Sequence, residues 1–281
     1  MDSEMKGKIC LVTGSNSGIG LETVVGLAHL GATVVMACRD SGKSRAALEE
    51  AGRRGAEDVH LMTVDLASQK SIRKFAQEFA ARYPRLHVLV HNAGIVTYKR
   101  QLTADGLETQ FAVNVVAPYL LTLLLRGPLR AAALSRVVLV ASDSHRMGWL
   151  NWDNLQGEKR YVGLLQYGHT KLACVLLTQA LAGRLAGDGI SVNALHPGSV
   201  QTPMFEKATP KLLYPLVRRL LLTQEEGART SLHLACAPQL AGVTGKYFKD
   251  CKETRPAGRA LSEESAARVW EICGRLTGEQ A

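Results

Sequence analysis

The chain has 281 residues, 46% of them hydrophobic and 21% charged, which suits one large α/β domain or two small ones with a substantial core. No apolar stretch is long enough to span a bilayer, and the net charge of +9 is spread along the chain without a basic block. A groove for an anionic cofactor, or a loose attraction to a membrane surface, accounts for that charge as well as nucleic acid does. We therefore expect no transmembrane segment and no nucleic-acid partner.

The cysteines and the first ten residues indicate the cellular compartment of the protein. Six cysteines are scattered without a CxxC motif or paired spacing, and the histidines show no metal-ligand spacing. We therefore expect free thiols in a reducing compartment and no metal site. The opening residues, MDSEMKGKIC, contain neither a signal-peptide core nor a lipidation signal. The expected location is cytoplasmic, with peripheral contact to a membrane as an alternative.

Short apolar runs alternate with helical patterns through the first two thirds of the chain. The runs are rich in Val, Leu and Ile without polar alternation, as in strands that are buried on both faces. These predicted strands are 9–13, 33–37, 59–64, 86–91, 136–141 and 190–195. The predicted helices between them include 19–30, 68–83, 107–125 and 166–185. This alternation predicts an α/β fold, a doubly wound, Rossmann-like parallel sheet with helices on both faces, forming a single domain over residues 1–281.

The pattern changes after residue 200. Residues 203–222 are apolar, punctuated by proline and interspersed with basic side chains. We interpret the segment at about 200–225 as a substrate lid; a structural helix and a face resting on a membrane are the alternatives. Thr223 and Glu226 then form a capping-box pattern that opens a helix, and a short strand at 245–248 and a helix at 262–276 follow.

A glycine-rich turn, TGSNSGIG, joins the first strand to the first helix. Glycines there let the backbone approach a pyrophosphate, and a helix N-terminus offers unpaired N–H groups to an anion. Methyltransferases use a similar turn, so the turn alone does not identify the cofactor. The cofactor-binding residues expected here are Gly14, Ser15, Asn16, Ser17, Gly18, Ile19 and Gly20.

The end of the second strand favours NADP over NAD. An NAD site usually places an acid there for the ribose 2′-hydroxyl, but Cys38 stands at that position and Arg39 follows. The planar guanidinium of arginine suits a 2′-phosphate. Two alternatives remain: Arg39 is a solvated loop charge, or Asp40 reaches the ribose after a one-residue shift.

Polar or small residues also follow the next strands, at the edge where open parallel sheets bind ligands. Asp65 and Leu66 follow the third strand, and the carboxylate would accept a bond from an adenine amino group or cap the next helix. Ser142 ends the fifth strand. The fourth strand leads into the turn Asn92, Ala93 and Gly94.

Two helical positions complete the candidate site. Tyr167 and Lys171 are four residues apart in YGHTK, so they lie on one helix face, although such a pair is weak evidence alone. Asn114 is an amide inside an apolar helix. Pro118, four residues later, would leave a backbone carbonyl there without its usual donor.

Taken together and in this order, these elements resemble the short-chain dehydrogenase/reductase superfamily over roughly residues 5–277. The match rests on TGSNSGIG, HNAG, Asn114, Ser142, YGHTK and the HPG that follows the sixth strand. VVMACRD, DNLQGEKRY, HPGSVQT and GKYFKDCKE are most similar to the retinol dehydrogenase-like branch. Two positions depart from that branch: Ala141 replaces the first of its two serines, and His91 replaces an asparagine.

The resemblance implies roles for the candidate residues. Lys171 would bind the ribose hydroxyls, Ser142 would orient the substrate oxygen, and Asn114 would hold a water that links Lys171 to solvent. Tyr167 and Lys171 would themselves contact the cofactor. The family also implies a homo-oligomer in which the helices near 107–125 and 160–185 pair. Further cofactor contacts are implied for Pro197, Gly198, Val200 and Thr202.

The chemistry expected is the interconversion of a carbonyl and an alcohol on an apolar small molecule of the retinoid, steroid or lipid-aldehyde type, with NADP(H). Tyr167 would be the general acid for reduction and the base for oxidation. The ammonium of Lys171 would favour its phenolate form. The rival hypothesis is a catalytically silent protein that senses NADP(H). A Ser–His hydrolase at Ser144 and His145 is disfavoured because no GxSxG elbow surrounds either serine of this stretch.

Overall fold

The structure is a computed structural model, and it describes residues 5–201 and 221–280. Within these residues one sheet has the strand order β3-β2-β1-β4-β5-β6-β7-β8, parallel throughout except for the β7–β8 pair. The predicted parallel sheet is therefore confirmed. The strands are β1 Ile9–Thr13, β2 Thr33–Cys38, β3 Val59–Thr63, β4 Val88–His91, β5 Ser135–Val140, β6 Ile190–His196, β7 Tyr247–Lys249 and β8 Lys252–Glu253.

Helices cover both faces of this sheet, as predicted. Alternate strand residues point to opposite faces, so Leu11 and Leu89 enter one core while Val12 and Val90 enter the other. No helix among the described residues is long and apolar enough to cross a membrane. The helices are α1 Gly18–His29, α2 Gly42–Arg53, α3 Gln69–Arg82, α4 Thr109–Phe111, α5 Ala117–Leu124, α6 Arg126–Ala131, α7 Gly163–Leu185, α8 Gln224–Cys236 and α9 Glu263–Thr277.

The predicted continuous helix 107–125 is wrong in detail, because a wider π turn at Ala112–Val116 separates α4 from α5. Pro118 has no N–H to give to the carbonyl of Asn114, four residues earlier. The thiol of Cys174 on α7 donates to that carbonyl instead, at 3.1 Å. The irregular turn thus coincides with one of the candidate site residues.

Other sequence predictions can be compared directly with the structure. The capping box of Thr223 and Glu226 at the start of α8 is confirmed, and all six cysteines are free thiols. The proposed lid falls largely on residues 202–220, outside the described ranges.

The C-terminal helix α9 packs against α7 and α5, the two helices expected to pair between subunits. Trp270 on α9 meets Tyr119 edge to face, with ring centroids 4.8 Å apart, and the guanidinium of Arg184 lies 4.3 Å from the Trp270 ring centroid. The chain's own C-terminal helix therefore covers one side of these helices. The homo-oligomer stays a prediction.

His91, at the end of β4, gives a pH-dependence of stability. The ring is buried and pairs with the hydroxyl of Thr122 at 2.8 Å. Burial lowers the pKa of His91 to about 3, from 6.5 for a free side chain. Between pH 6.5 and 3, His91 is protonated in the unfolded chain but stays neutral in the folded protein. The free energy of unfolding therefore falls as the pH falls from 6.5 towards 3.

We expect His91→Asn to flatten this dependence by about 1.4 kcal/mol per pH unit at moderately acidic pH. Urea unfolding measured at several pH values would give the slope for the wild type and the variant. His60→Asn is the matched control, since its ring is partly exposed. An unchanged slope in His91→Asn would contradict the assignment of a buried, neutral imidazole.

Candidate active site

A cleft of about 1000 Å³ lies at the carboxyl ends of the parallel strands, at the upper end of the range for ligand sites. It brings together nearly all the predicted site residues. Ser15 and Asn114 lie behind its lining, and Thr202 falls outside the described residues. The predicted residues that line the cleft are Gly14, Asn16, Ser17, Gly18, Ile19, Gly20, Arg39, Asp65, Leu66, Asn92, Ala93, Gly94, Ser142, Tyr167, Lys171, Pro197, Gly198 and Val200.

Gly14 and Gly20 of the glycine turn pack too closely on the turn after β4 to accept a side chain. Gly14 has φ +62°, and a Cβ there would lie 2.7 Å from the Cα of Ala93. A Cβ on Gly20 would lie 2.4 Å from the side-chain nitrogen of Asn92. That nitrogen donates to the carbonyls of Thr13 and Gly14, at 3.0 and 3.1 Å. Asn92 therefore fixes the shape of the glycine turn as well as lining the cleft.

The turn presents the start of α1 to the cleft. Ser17 is the N-cap, but among the described residues its side chain makes no capping bond, and the first turn contains no acidic residue. The first amides of the helix thus remain available for an anion. Ser15 is different, because its buried hydroxyl donates to the carbonyl of Val12 at 3.0 Å and so braces the turn from behind. These features fit a pyrophosphate.

The end of β2 is basic where the cleft opens. Of the described residues that line the cleft, Arg39 is one and Asp40 is not, and Asp40 pairs instead with Arg45 at 2.6 Å. Burial raises the pKa of the Cys38 thiol, which keeps it uncharged at neutral pH. The alternative in which Asp40 reaches the ribose thus finds no support in the geometry.

Asp65 lines the cleft at the end of β3 but does not cap the next helix. Ser68 is the N-cap of α3, and its side chain accepts from the backbone N–H of Ser71. One carboxylate oxygen of Asp65 accepts from the backbone N–H of Ala67 at 3.0 Å. Because Ser68 caps α3, the alternative role of Asp65 as the cap of that helix is not supported. The role of Asp65 in binding adenine stays a prediction.

Lys171 is a buried cation, only 3% exposed, beneath Tyr167. Its Nζ donates to the backbone carbonyl of Val140 at 2.7 Å and lies 5.5 Å from the ring centroid of Tyr167. Gly94 has no side chain and so leaves space for the Lys171 ammonium, because a Cβ on Gly94 would lie only 3.3 Å from Nζ. The position of the ammonium is thus set by β5 and by the turn after β4.

Asn114 is almost fully buried beside the cleft, and its amide holds the backbone of the loop after β4. Its Oδ1 accepts from the N–H of Ile95 at 2.9 Å, and its Nδ2 donates to the carbonyl of Ile95 at 3.0 Å. The same Nδ2 donates to the hydroxyl of Thr170 at 3.0 Å. The side chain therefore ties the loop to α7, one residue from Lys171.

Ser142 lines the cleft with its hydroxyl near that of Ser144, at 3.1 Å. The ring of His145 turns away from both. Its Nδ1 bonds the carbonyl of Ser142 at 2.7 Å, and its Nε2 accepts from the backbone N–H of Ala257 at 3.0 Å. Neither ring nitrogen is placed as a base for a serine, which agrees with the rejection of a hydrolase.

Sequence reasoning missed a charged cluster at the ends of β5, β6 and β7. The carboxylate of Asp143 bonds Lys249 at 2.9 Å and Tyr247 at 3.2 Å, and its backbone N–H donates to His196 at 3.3 Å. Burial opposes ionisation of Asp143, but Lys249, His196 and Tyr247 together outweigh it, so the pKa of the carboxyl is lowered. The signal was present, because Lys249 directly follows the predicted strand 245–248, at the edge where ligands bind. The cluster anchors the residue that follows Ser142.

Comparison with known proteins agrees with this geometry. The pattern of the short chain dehydrogenase family matches residues 8–213. Retinol dehydrogenase 12 of Bos taurus is 42% identical, covering 99% of this chain and 88% of that protein. Retinol dehydrogenase 14 of Homo sapiens is 40% identical, covering 98% and 87%.

Solved structures share the fold. An uncharacterized protein from Mycobacterium paratuberculosis superposes with a TM-score of 0.81 at 30% identity, over 98% of this chain and 95% of the other. The RhlG/NADP active-site complex of Pseudomonas aeruginosa gives 0.71 at 25% identity, over 93% and 100%. The chain belongs to the short-chain dehydrogenase family, in its retinol dehydrogenase-like branch, and is an oxidoreductase of carbonyls and alcohols that uses a nicotinamide cofactor.

Proposed function

We propose that this protein interconverts an apolar aldehyde or ketone and its alcohol with NADP(H), using Tyr167 as the acid and base. The observation that supports this most is the convergence of three groups at one end of the cleft. Ser142, Tyr167 and Lys171 all line it, and the glycine turn lines the same cleft. The free thiols fit the cytoplasmic location that we also propose.

Each residue has a distinct part in this proposal. The bound nicotinamide supplies or accepts the hydride. Ser142 donates a hydrogen bond to the substrate oxygen, and Tyr167 gives that oxygen a proton during reduction. A free phenol loses its proton only near about pH 10, so the buried ammonium of Lys171 has to favour the phenolate. We assign Asn114 the task of positioning the loop after β4 and α7 around this centre.

Cofactor choice follows from the charge at the end of β2. Arg39 lines the cleft, Cys38 replaces the expected acid, and Asp40 is held by Arg45. Among the described residues at this end of the cleft, a ribose 2′-phosphate would meet a guanidinium and no free carboxylate. The RhlG structure of similar fold is a complex with NADP, which supports the choice of the phosphorylated cofactor.

We expect Arg39→Ala to raise the KM for NADPH by about 10- to 100-fold and to change the KM for NADH by less than about threefold. The basis is the loss of one charge-assisted contact, about 1.5–3 kcal/mol. Steady-state kinetics with both cofactors measure the change. Arg53→Ala is the matched control, an exposed arginine of α2 that pairs with Glu50. Equal losses with NADPH and NADH in Arg39→Ala would refute 2′-phosphate recognition by this side chain.

The substrate end of the cleft is apolar. Val96, Tyr98, Val113 and Leu222 line it, so it favours a hydrocarbon chain or ring system next to the reacting carbonyl. The curated relatives are named for retinol, and a retinoid is therefore among the first substrates to try. Steroids and lipid-derived aldehydes have the same apolar character.

The direct experiment is NADPH consumption by the purified protein across retinal, steroid ketones and medium-chain aldehydes, with NADH in parallel. The proposal expects turnover with at least one of these, faster with NADPH. The alternative is a protein that only senses NADP(H). Saturable NADPH binding without consumption across the whole panel would favour the sensor.

A further inference from the structure

Six large apolar side chains are exposed beside the mouth of the cleft. Their exposed fractions run from 43% for Val162 to 66% for Trp149. Isolated exposed apolar residues are ordinary, but a contiguous group marks a binding surface. We call this group the mouth patch, and it consists of Tyr98, Met147, Trp149, Val162, Leu164 and Leu165.

Two close backbone contacts make the patch contiguous. Gly163 lies against the loop after β4, so that a Cβ there would stand 2.8 Å from the Cα of Tyr98. Val162 and Leu164 flank this contact. Gly148, between Met147 and Trp149, lies against α7, since its Cβ would stand 2.4 Å from the carbonyl of Gly168. Leu164 and Leu165 lie one turn before Gly168 on that helix face.

The patch adjoins the substrate end of the cleft. Tyr98 belongs to both, since it lines the cleft and is 55% exposed. Tyr167 lies one turn along α7 from Gly163, and Gly163 lies between the patch residues Val162 and Leu164. Anything that covers the patch therefore lies next to the route by which an apolar substrate reaches Tyr167.

Basic side chains surround the patch. The three segments that supply and border it, 98–102, 146–165 and 255–261, contain seven basic and two acidic residues, a net charge of +5. The guanidinium of Arg259 lies 5.6 Å from the Trp149 ring centroid and donates to the carbonyl of Gly148 at 2.6 Å. All of the basic ones are exposed: Lys99, Arg100, Arg146, Lys159, Arg160, Arg255 and Arg259.

We infer that the mouth patch docks on an anionic membrane surface and so presents the cleft to substrate dissolved in the bilayer. Apolar side chains inside a basic rim match the acyl boundary inside a layer of anionic headgroups. Trp149 and Tyr98 are the aromatic types enriched at membrane interfaces. A second copy of the chain is a poor occupant, because a two-fold interface would set two surfaces of +5 against each other.

The test is flotation of the purified full chain with vesicles of phosphatidylcholine, with and without phosphatidylserine. We expect binding to the phosphatidylserine vesicles that weakens as salt is raised, and a blue shift of tryptophan emission, because Trp149 is far more exposed than the buried Trp270. The double variant Trp149→Ser with Leu165→Ser should bind at least about tenfold more weakly, since it removes two apolar side chains from the interface.

Leu134→Ser is the matched control. Leu134 is 71% exposed, but it precedes β5 at the opposite edge of the sheet, so its loss should change vesicle binding by less than about twofold. Unchanged thermal midpoints would show that all variants fold. The inference is overturned if the wild type ignores phosphatidylserine vesicles, if the double variant binds like the wild type, or if the patch instead mediates self-association or binds an acidic protein. Vesicle binding needs no turnover, so this result is independent of the proposed activity.

Discussion

Replacing Tyr167 with phenylalanine should lower kcat by about a thousandfold while leaving the Kd for NADPH within about threefold of the wild type. The variant keeps the ring but removes the only group in the proposal that transfers a proton to the substrate oxygen. Proton transfer by a positioned side chain typically contributes 10²–10⁴ in rate. Tyr167 lines the cleft beside Ser142 and stands over the buried Nζ of Lys171. Turnover with the best substrate and fluorescence titration with NADPH measure the two quantities separately.

The matched control is Tyr83→Phe, which also removes one phenolic hydroxyl. Tyr83 follows α3 and is buried in the core on one face of the sheet, away from the cleft lining. Its kcat should stay within about twofold of the wild type. A Tyr167→Phe variant that retained most of its kcat would show that another group moves the proton.

Replacing Lys171 with methionine should lower kcat by about a hundredfold or more. Methionine fills similar space but brings no charge, so the ammonium that lies 5.5 Å from the Tyr167 ring centroid is lost. The Kd for the cofactor should also rise, since the proposal gives Lys171 the ribose hydroxyls. The change leaves the buried carbonyl of Val140 without its donor, which should cost about 1–3 kcal/mol of stability.

This stability loss makes a control necessary. Thermal unfolding must show that the Lys171→Met variant is folded at the assay temperature, and Lys74→Met on the exposed face of α3 shows the effect of removing a remote ammonium. A folded Lys171→Met variant that kept the wild-type kcat would contradict a role for this ammonium in the reaction.

The parallel strands and the position of the cleft could be predicted from the sequence because both have local signals. Buried parallel strands appear as uninterrupted Val, Leu and Ile runs, and the edge at their carboxyl ends is where ligands bind. Glycines at 14 and 20 mark the turn on which the loop around Asn92 packs. Nearly every residue predicted at these strand ends lines the one cleft.

The features that could not be predicted from the sequence depend on contacts between distant segments. At the π turn around Asn114, the thiol of Cys174, 60 residues later, donates to the carbonyl to which Pro118 has no N–H to give. The cluster of Asp143 and Lys249 likewise joins strands that are more than a hundred residues apart. The mouth patch could not be predicted for the same reason, because the exposure of an apolar side chain depends on the folded surface.

Isotope tracing would show whether hydride passes directly between a nicotinamide cofactor and a carbonyl carbon in this cleft. NADPH carrying deuterium at C4 on either face would be incubated with the purified protein and its best carbonyl substrate, and the alcohol would be analysed by mass spectrometry. We expect deuterium on the carbinol carbon from one face of the cofactor only, and almost none with the Tyr167→Phe variant under the same conditions. Alcohol formed without deuterium from either cofactor, or NADPH bound and left unconsumed with every carbonyl tried, would contradict this expectation.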